Sequence, residues 1–259
     1  MKKKICIAII TVLALVMGAS IYKICSRKVQ DARQEEVYNS LSESVSQVVE
    51  TQTPNVPVRP VITTSGLAAL PQYAGVFEQN EDMVGWIYIE GTNINYPVMW
   101  TPDNPNFYVD HDFTKASSRY GCPYIQENCD VDKPSDNIVI YGHHMQDGSM
   151  FADLDSYKSS DFYEAHKIIR FDTIARCQEY EIISVFTTVA YDEIGFRYYD
   201  FVDASDEESF MSYVTAVQAM SMYDTGIDVS YGDNLITLST CEYSNKNGRV
   251  VIVAKLITE

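Results

Sequence analysis

Basic side chains are scarce in most of this 259-residue chain. It carries 19 lysines and arginines against 36 aspartates and glutamates, and six of the basic residues precede position 30. The net charge of −17 argues against nucleic acids and anionic lipid phosphates as partners. Four histidines and six cysteines leave few groups for metal or thiol chemistry. Hydrophobic residues make up 46% of the chain, which excludes a fully disordered protein and suffices for a large globular core.

The early basic residues surround an apolar stretch. No charged residue occurs from Ile5 to Ile21, and the three lysines Lys2–Lys4 precede it. A stretch of this length is at the short end of what crosses a hydrocarbon core of ~30 Å, and the lysines favour a cytoplasmic N-terminus. We therefore expect an uncleaved single-pass anchor with the rest of the chain outside the cell. A cleaved signal peptide is the alternative, because the small residues at 18–20 also fit a cleavage site.

Composition divides the chain into three parts. Residues 29–50 are polar with apolar residues mostly at helical spacing, which predicts an amphipathic helix. Pro54, Pro57 and Pro60 follow and predict an extended linker. The predicted organisation is a cytoplasmic tip with a transmembrane anchor (1–25), a helical and proline-rich stalk (26–65), and a large extracellular domain (66–259).

The large domain consists mainly of short β-rich runs separated by turn residues. These runs lie at 85–100, 137–142, 166–172, 179–191, 234–241 and 249–257. One longer segment, 205–222, has an acidic start and apolar residues at helical spacing, so it predicts a helix between two strands. The predicted fold is mostly β: a closed or nearly closed antiparallel or mixed barrel with an N-terminal helix and one helix inserted before the strand that carries Cys241.

Two of these strands frame a candidate reactive thiol. Cys241 ends one predicted strand and Arg249 begins the next, after a loop of seven residues. If the two strands form a hairpin, the side chains face each other across the neck of the loop. A guanidinium beside a thiol favours the thiolate and can donate to an oxyanion formed when the thiolate attacks a carbonyl.

A proton carrier is available at the end of another strand. His143 follows the run NIVIYG, where Gly142 lets the backbone turn. A cysteine with a positioned histidine is the minimum for nucleophilic acyl transfer. The alternative is that Cys241 packs as a small hydrophobe and Arg249 is a solvated charge. His143 and His144 should point to opposite faces with no further ligand at metal spacing, so we expect no metal site and no cofactor.

The remaining cysteines leave the disulfide state open. Cys6 lies in the apolar stretch and Cys25 just beyond it. The other four allow three pairings that the sequence does not distinguish, and Cys241 should stay free if it is reactive. Cys122 and Cys129 are then either a disulfide pair or two inert thiols.

Three segments of the large domain resemble class B sortases. They are TLSTCEYSNKNGRVVIVAKL (237–256), NIVIYGHHMQDGSMFADL (137–154) and NEDMVGWIYIEGTNINYPVM (80–99). The resemblance runs from about Leu67 to the C-terminus. It implies that Cys241 is the nucleophile, His143 the general acid and base, and Arg249 the group that orients the substrate or binds the oxyanion. It also implies that His144 is not catalytic, that Ser239 and Glu242 lie near the substrate, and that residues 191–199 help to form the substrate groove.

The resemblance further implies a function and a location. The protein is then a membrane-anchored cysteine transpeptidase on the outer face of a Gram-positive cell. It would cleave sorting signals of the Asn-Pro-x-Thr type after Thr, hold the product as a thioester, and pass it to an amine of a peptidoglycan precursor or to another amine such as a pilin lysine. Two alternatives remain: a secreted cysteine protease with the same residues, and a catalytically silent surface module that displays its acidic barrel to a partner.

Overall fold

The computed structural model describes residues 2–51, 61–63, 66–190 and 195–258. Most of the predicted proline-rich linker and residues 191–194 of the predicted substrate groove lie outside the described residues. The chain divides into two compact units, Met1–Ser40 and Leu41–Glu259. The second unit contains all of the strands.

The N-terminal part of the chain is one long helix. Helix α1 spans Lys2–Thr51 and confirms the helix that was predicted over 29–50. It also continues through the apolar stretch, where side chains such as Leu13, Leu15 and Met17 are exposed. Within it, residues 9–48 include a stretch long and apolar enough to cross a membrane, a property that signal sequences share.

Eight strands form a closed barrel. The strands are β1 (Met83–Tyr88), β2 (Asn95–Met99), β3 (Tyr124–Ile125), β4 (Asn137–Tyr141), β5 (Ile168–Thr173), β6 (Glu179–Val189), β7 (Leu235–Glu242) and β8 (Gly248–Thr258). Their order around the barrel is β1-β2-β3-β4-β7-β8-β6-β5. The pairs β2–β3 and β4–β7 are parallel and the others are antiparallel. The prediction of a closed, mixed barrel is therefore confirmed.

Helices cover parts of the barrel. Helices α2 (Pro71–Phe77) and α3 (Ser160–Ala165) are short, and α4 (Glu207–Met220) confirms the helix predicted before the strand of Cys241. Helix α4 begins at a capping box in which Asp206 and Ser209 bind each other's backbone N–H groups. It buries Phe210, Val214 and Val217, and the Val217 carbonyl accepts a hydrogen bond from Ser184 of β6. The middle parts of β6 (182–186) and β8 (250–254) are fully buried.

The parallel pair β4–β7 determines where the candidate residues meet. Its register runs from Asn137 opposite Leu235 to Tyr141 opposite Ser239, so both strands end at the same edge of the barrel. The next backbone hydrogen bond, Gly142 N–H to Ser239 O at 3.2 Å, extends this pairing by one residue. The two segments that follow these strands are thereby held side by side.

Candidate active site

Cys241 and Arg249 face each other in the β7–β8 hairpin. They are register partners in this antiparallel pair, which confirms the predicted hairpin. Both side chains are half-buried and line one cavity of about 240 Å³, together with His143. The wall also includes Val109 and Ser239. The structure therefore brings together three candidate residues from separate segments of the chain.

His143 is oriented by a backbone carbonyl. Its Nε2 lies 2.6 Å from the oxygen of Val109. A carbonyl only accepts hydrogen bonds, so Nε2 carries a proton and Nδ1 is the nitrogen that can take up or release one. The backbone of His143 is fixed as well, because its carbonyl accepts the N–H of Phe151 at 2.8 Å.

The reason for a glycine before His143 differs from the one predicted. Gly142 does not have a positive φ, so a left-handed backbone is not what requires glycine at this position. Instead, a Cβ on Gly142 would lie 2.5 Å from the ring of Phe151. The position excludes a side chain because the aromatic ring packs directly on the backbone.

The loop that carries Val109 is anchored in the barrel. Residues Phe107–Val109 form a single 3-10 turn, and Tyr108 within it is almost completely buried. The Tyr108 hydroxyl donates to Asp82 at 2.7 Å and accepts from the Asn80 amide at 2.8 Å. Burial, reinforced by the bond to Asp82, raises the pKa of Tyr108 well above its ordinary value, so it remains a donor. The carbonyl that holds His143 thus rests on a buried polar network.

A second glycine allows this loop to approach His143. Gly121 has φ +60°, and a Cβ there would lie 2.4 Å from the oxygen of Tyr108 and 2.8 Å from that of Val109. The same Cβ would lie 3.1 Å from Cδ2 of His143. Only glycine combines this left-handed backbone with the available space.

The two residues that flank Cys241 differ in their surroundings. Ser239 lies in the cavity wall, and its hydroxyl is 2.6 Å from that of the buried Tyr198. Glu242 is not among the cavity-lining residues; its carboxylate accepts from Lys158 Nζ at 2.9 Å and from the Ser244 hydroxyl at 2.6 Å. These hydrogen bonds, led by that from Lys158, hold the pKa of Glu242 below its usual range. A role of either residue in substrate binding stays a prediction.

His143 and His144 have different partners. The Nδ1 of His144 lies 3.0 Å from the carbonyl oxygen of Cys241, and its ring packs edge-on against Tyr243. His144 is not among the residues that line the cavity. Within the described part of the chain, no group of three His, Cys, Asp or Glu side chains is arranged to hold a metal ion.

Cys122 and Cys129 are separate buried thiols in the structure. The Cys129 Sγ donates to the Asn137 carbonyl at 3.6 Å, and burial raises the pKa of its thiol to about 12. Cys122 donates to the Pro97 carbonyl at 3.5 Å and lines the cavity. Of the two alternatives for this pair, the structure has two thiols and no disulfide.

Comparison with known proteins identifies the family of this fold and site. The sortase domain family matches residues 87–257. Sortase B of Listeria monocytogenes is 38% identical over 185 residues, which cover 70% of this chain and 72% of the relative. The chain belongs to the sortase family, class B. Sortase B of Staphylococcus aureus is 28% identical over 251 residues, 96% of this chain and 94% of that protein.

The sortase fold is also evident from solved structures. The complex of S. aureus sortase B with its substrate superposes with a TM-score of 0.76 at 27% identity, covering 89% of this chain and 99% of that chain. The resemblance inferred from the three sequence segments is thus confirmed. As a class B sortase, the protein is a cysteine transpeptidase that acts on sorting signals.

Several residues at this sortase site were not found from the sequence. Val109 acts through its backbone carbonyl, which no residue type marks. Gly121 is far from the motifs in sequence, and Tyr198 lies in the predicted groove segment 191–199 but was not singled out; both reach the site only through tertiary structure. Tyr243 did carry a usable signal, because it lies two residues after Cys241 in the motif itself.

Proposed function

We propose that this sortase uses Cys241, His143 and Arg249 to cleave an Asn-Pro-x-Thr type sorting signal after Thr and to transfer the product to a cell-wall amine. The observation that carries the proposal is the single cavity lined by all three side chains. Acyl transfer through a thiol needs a nucleophile, a proton carrier and a donor for the developing oxyanion. These three side chains supply one of each.

The first half-reaction forms the thioester. The Cys241 thiolate attacks the carbonyl carbon of the Thr residue, and the carbonyl oxygen becomes an oxyanion to which Arg249 donates. His143, protonated at Nδ1 as well as Nε2, gives the Nδ1 proton to the leaving amine nitrogen as the C–N bond breaks. The products are an acyl thioester on Cys241, a free amine and neutral His143.

The second half-reaction reverses the order. The acceptor amine attacks the thioester carbonyl, His143 removes a proton from the attacking nitrogen through Nδ1, and the C–S bond breaks to release the Cys241 thiolate. The hydrogen bond from Nε2 to the Val109 carbonyl supports this role, because it keeps Nδ1 as the exchanging nitrogen throughout.

A membrane location fits the same function. We propose that residues 1–25 form a cytoplasmic tip and anchor, 26–65 a stalk, and 66–259 the extracellular catalytic domain. The apolar character of α1 near the N-terminus supports the anchor. Holding the enzyme, its protein substrate and a lipid-linked acceptor on one membrane raises their effective concentrations without any new contact.

The test is intact mass spectrometry of the full chain, purified in detergent and incubated with Asn-Pro-x-Thr and Leu-Pro-x-Thr peptides. We expect a peptide adduct that hydroxylamine removes, that is absent from Cys241→Ala and His143→Ala, and that still forms with His144→Ala. An adduct on Cys241→Ala, or cleavage at the wild-type rate by that variant, would contradict the assignment of the nucleophile. Equal loss in both His variants would contradict the assignment of His143.

A second experiment tests transfer of the acyl group to an amine. Peptide cleavage is repeated with increasing concentrations of amines, including triglycine and a lysine-containing peptide. We expect the ligated product to increase at the expense of the hydrolysed acid. Hydrolysis alone at saturating concentrations of every amine would indicate a cysteine protease with the same three residues.

A further inference from the structure

Two reciprocal hydrogen bonds join the segment after β4 to the segment after β7. The Nδ1 of His144 lies 3.0 Å from the carbonyl oxygen of Cys241. In return, the hydroxyl of Tyr243 donates to the carbonyl of His144 at 2.8 Å. The two rings meet edge-on with their centroids 5.0 Å apart. We call this set of contacts the His144–Tyr243 brace.

The brace lies where the backbone pairing of the two strands stops. In a parallel pair, every second residue of a strand forms its backbone hydrogen bonds with the same neighbouring strand. After the Ser239 carbonyl, the next β7 carbonyl on the side of β4 is therefore that of Cys241. Gly142 N–H is bonded to Ser239 O, but the chain then turns away, and His144 forms a bridge with Met150 instead. The His144 imidazole therefore provides the donor that the backbone no longer supplies.

The protonation of the brace differs from that of a general base. A carbonyl oxygen only accepts, so Nδ1 of His144 carries a proton in both the neutral and the charged ring. Partial burial, followed by the charge of Cys241, raises the pKa of the Tyr243 phenol, which keeps this hydroxyl protonated as a donor. Both bonds can persist while His143 exchanges its proton.

We propose that His144 and Tyr243 are positioning residues that fix the backbone of Cys241 relative to His143. His144 directly follows His143, and Tyr243 follows Cys241 by two residues, so each bond ties one reactive segment to the other. The inference rests on the proposed function, in which the Cys241 thiolate holds the acyl group while His143 exchanges a proton with the leaving or the attacking amine. A small displacement between them would slow that exchange while leaving the remaining substrate contacts unchanged.

Substitutions that differ in single atoms test the brace in the full chain, with a fluorescence-quenched Asn-Pro-x-Thr peptide as substrate. His144→Ala should lower kcat about tenfold and change KM less than about twofold, since it removes a contact to the nucleophile's backbone and none to the substrate. Tyr243→Phe keeps the ring and loses only the hydroxyl, so kcat should fall about threefold. His144→Asn places an amide N–H near the position of Nδ1–H and should recover most of the loss, whereas His144→Gln should not.

The pH profile distinguishes positioning from proton transfer. The pKa values that limit kcat should be the same in wild type, His144→Ala and His144→Asn, because His144 transfers no proton in the proposed reaction. Thermal unfolding of each variant, followed by circular dichroism, identifies any that fails to fold, and His144→Asn then serves as the decisive comparison. A wild-type kcat in His144→Ala, loss of one limb of the pH profile, or equal activity of the Asn and Gln variants would overturn the brace.

A parallel measurement on Cys241→Ala separates this inference from the proposed function. If Cys241→Ala retains activity, the proposed function fails; if it is inactive, only the brace is in question.

Discussion

Replacing Gly121 with alanine should disturb His143, the proposed general acid and base, by displacing the loop that orients its ring. The new Cβ would lie 2.4 Å from the Tyr108 oxygen and 2.8 Å from the Val109 oxygen. Contacts of a Cβ below 3.0 Å do not occur, so the Tyr108 carbonyl must retreat by at least 0.6 Å. The adjacent Val109 carbonyl holds His143 at 2.6 Å, so this shift weakens the hydrogen bond that orients the ring.

The folding free energy that Gly121→Ala costs has two parts. An alanine at positive φ costs about 1 kcal/mol of folding free energy, and forcing a methyl group into a closely packed site costs about 1–3 kcal/mol more. We therefore expect Gly121→Ala to lower the free energy of unfolding by about 2–4 kcal/mol, which leaves a typical domain folded. Displacement of a catalytic group by this order of distance costs about ten- to a hundredfold in kcat.

Gly226→Ala is the matched control. Gly226 has φ +69°, and a Cβ there would meet nothing within 4 Å, so the substitution carries the backbone cost alone. It should lower the free energy of unfolding by about 1 kcal/mol and leave peptide cleavage unchanged. Denaturant titration followed by tryptophan fluorescence measures stability, since both tryptophans, Trp86 and Trp100, lie in the barrel domain. A wild-type kcat in Gly121→Ala, or equal destabilisation by the two variants, would refute the reasoning.

Three further substitutions test single contacts. Arg249→Lys should lower kcat about a hundredfold, because a point charge does not reproduce the planar fork that orients an oxyanion; peptide cleavage kinetics measure this. Lys158→Met should lower the free energy of unfolding at pH 7 by about 1 kcal/mol, because Glu242 loses a charged partner. Ser239→Ala should cost about 1 kcal/mol by removing its hydrogen bond to the buried Tyr198 hydroxyl, and in the double variant with Tyr198→Phe the two losses should not simply add in the same denaturant titration.

The effect of Lys158→Met should depend on pH. The Lys158 ammonium and the Ser244 hydroxyl lower the pKa of Glu242 in the folded protein. A carboxyl with a lowered pKa stabilises the fold above its unfolded pKa of ~4.3 and loses that contribution as pH falls through the folded pKa. The difference between wild type and variant should therefore be complete at pH 7 and shrink below about pH 4. A difference that stays constant down to pH 3 would contradict this explanation.

The predictions for Arg249→Lys and Ser239→Ala can also be contradicted by a specific result. Near-normal rates for Arg249→Lys would mean that only its charge matters, as for a distant electrostatic effect. If the Ser239→Ala and Tyr198→Phe changes simply add, the two hydroxyls do not depend on each other. A raised KM for Ser239→Ala with unchanged stability would instead favour a direct substrate contact.

The sequence predicted those features that depend on local pattern. Strand β7 and strand β8 are long β-branched runs with a polar loop between them, so their pairing and the Cys241–Arg249 register followed from hairpin geometry. Helix α4 was found from its acidic start and apolar spacing, and its capping box is consistent with that signal. The short strand β3 was missed, because two residues are too few to show periodicity.

The sequence did not predict contacts made through the backbone or between distant segments. The parallel pairing of β4 with β7 has no local signature, since nearly a hundred residues separate the strands. Val109 contributes a backbone carbonyl that any residue could supply. Glycine is required at position 121 because the carbonyls of Tyr108 and Val109 come close to it in the folded chain. The sequence predicted that His143 and His144 point in different directions. It did not predict their hydrogen-bond partners, the carbonyls of Val109 and Cys241, because these depend on the path of the chain after β4.

The parallel pairing of β4 and β7 also ties the chemistry to the last stages of folding. His143 and Cys241 are nearly a hundred residues apart in sequence, so the proposed nucleophile and proton carrier meet only when this long-range pair forms. Pairings of such high contact order form slowly and late. We therefore expect catalytic activity to report a completely folded domain, because a partly folded chain does not bring the proposed catalytic side chains together.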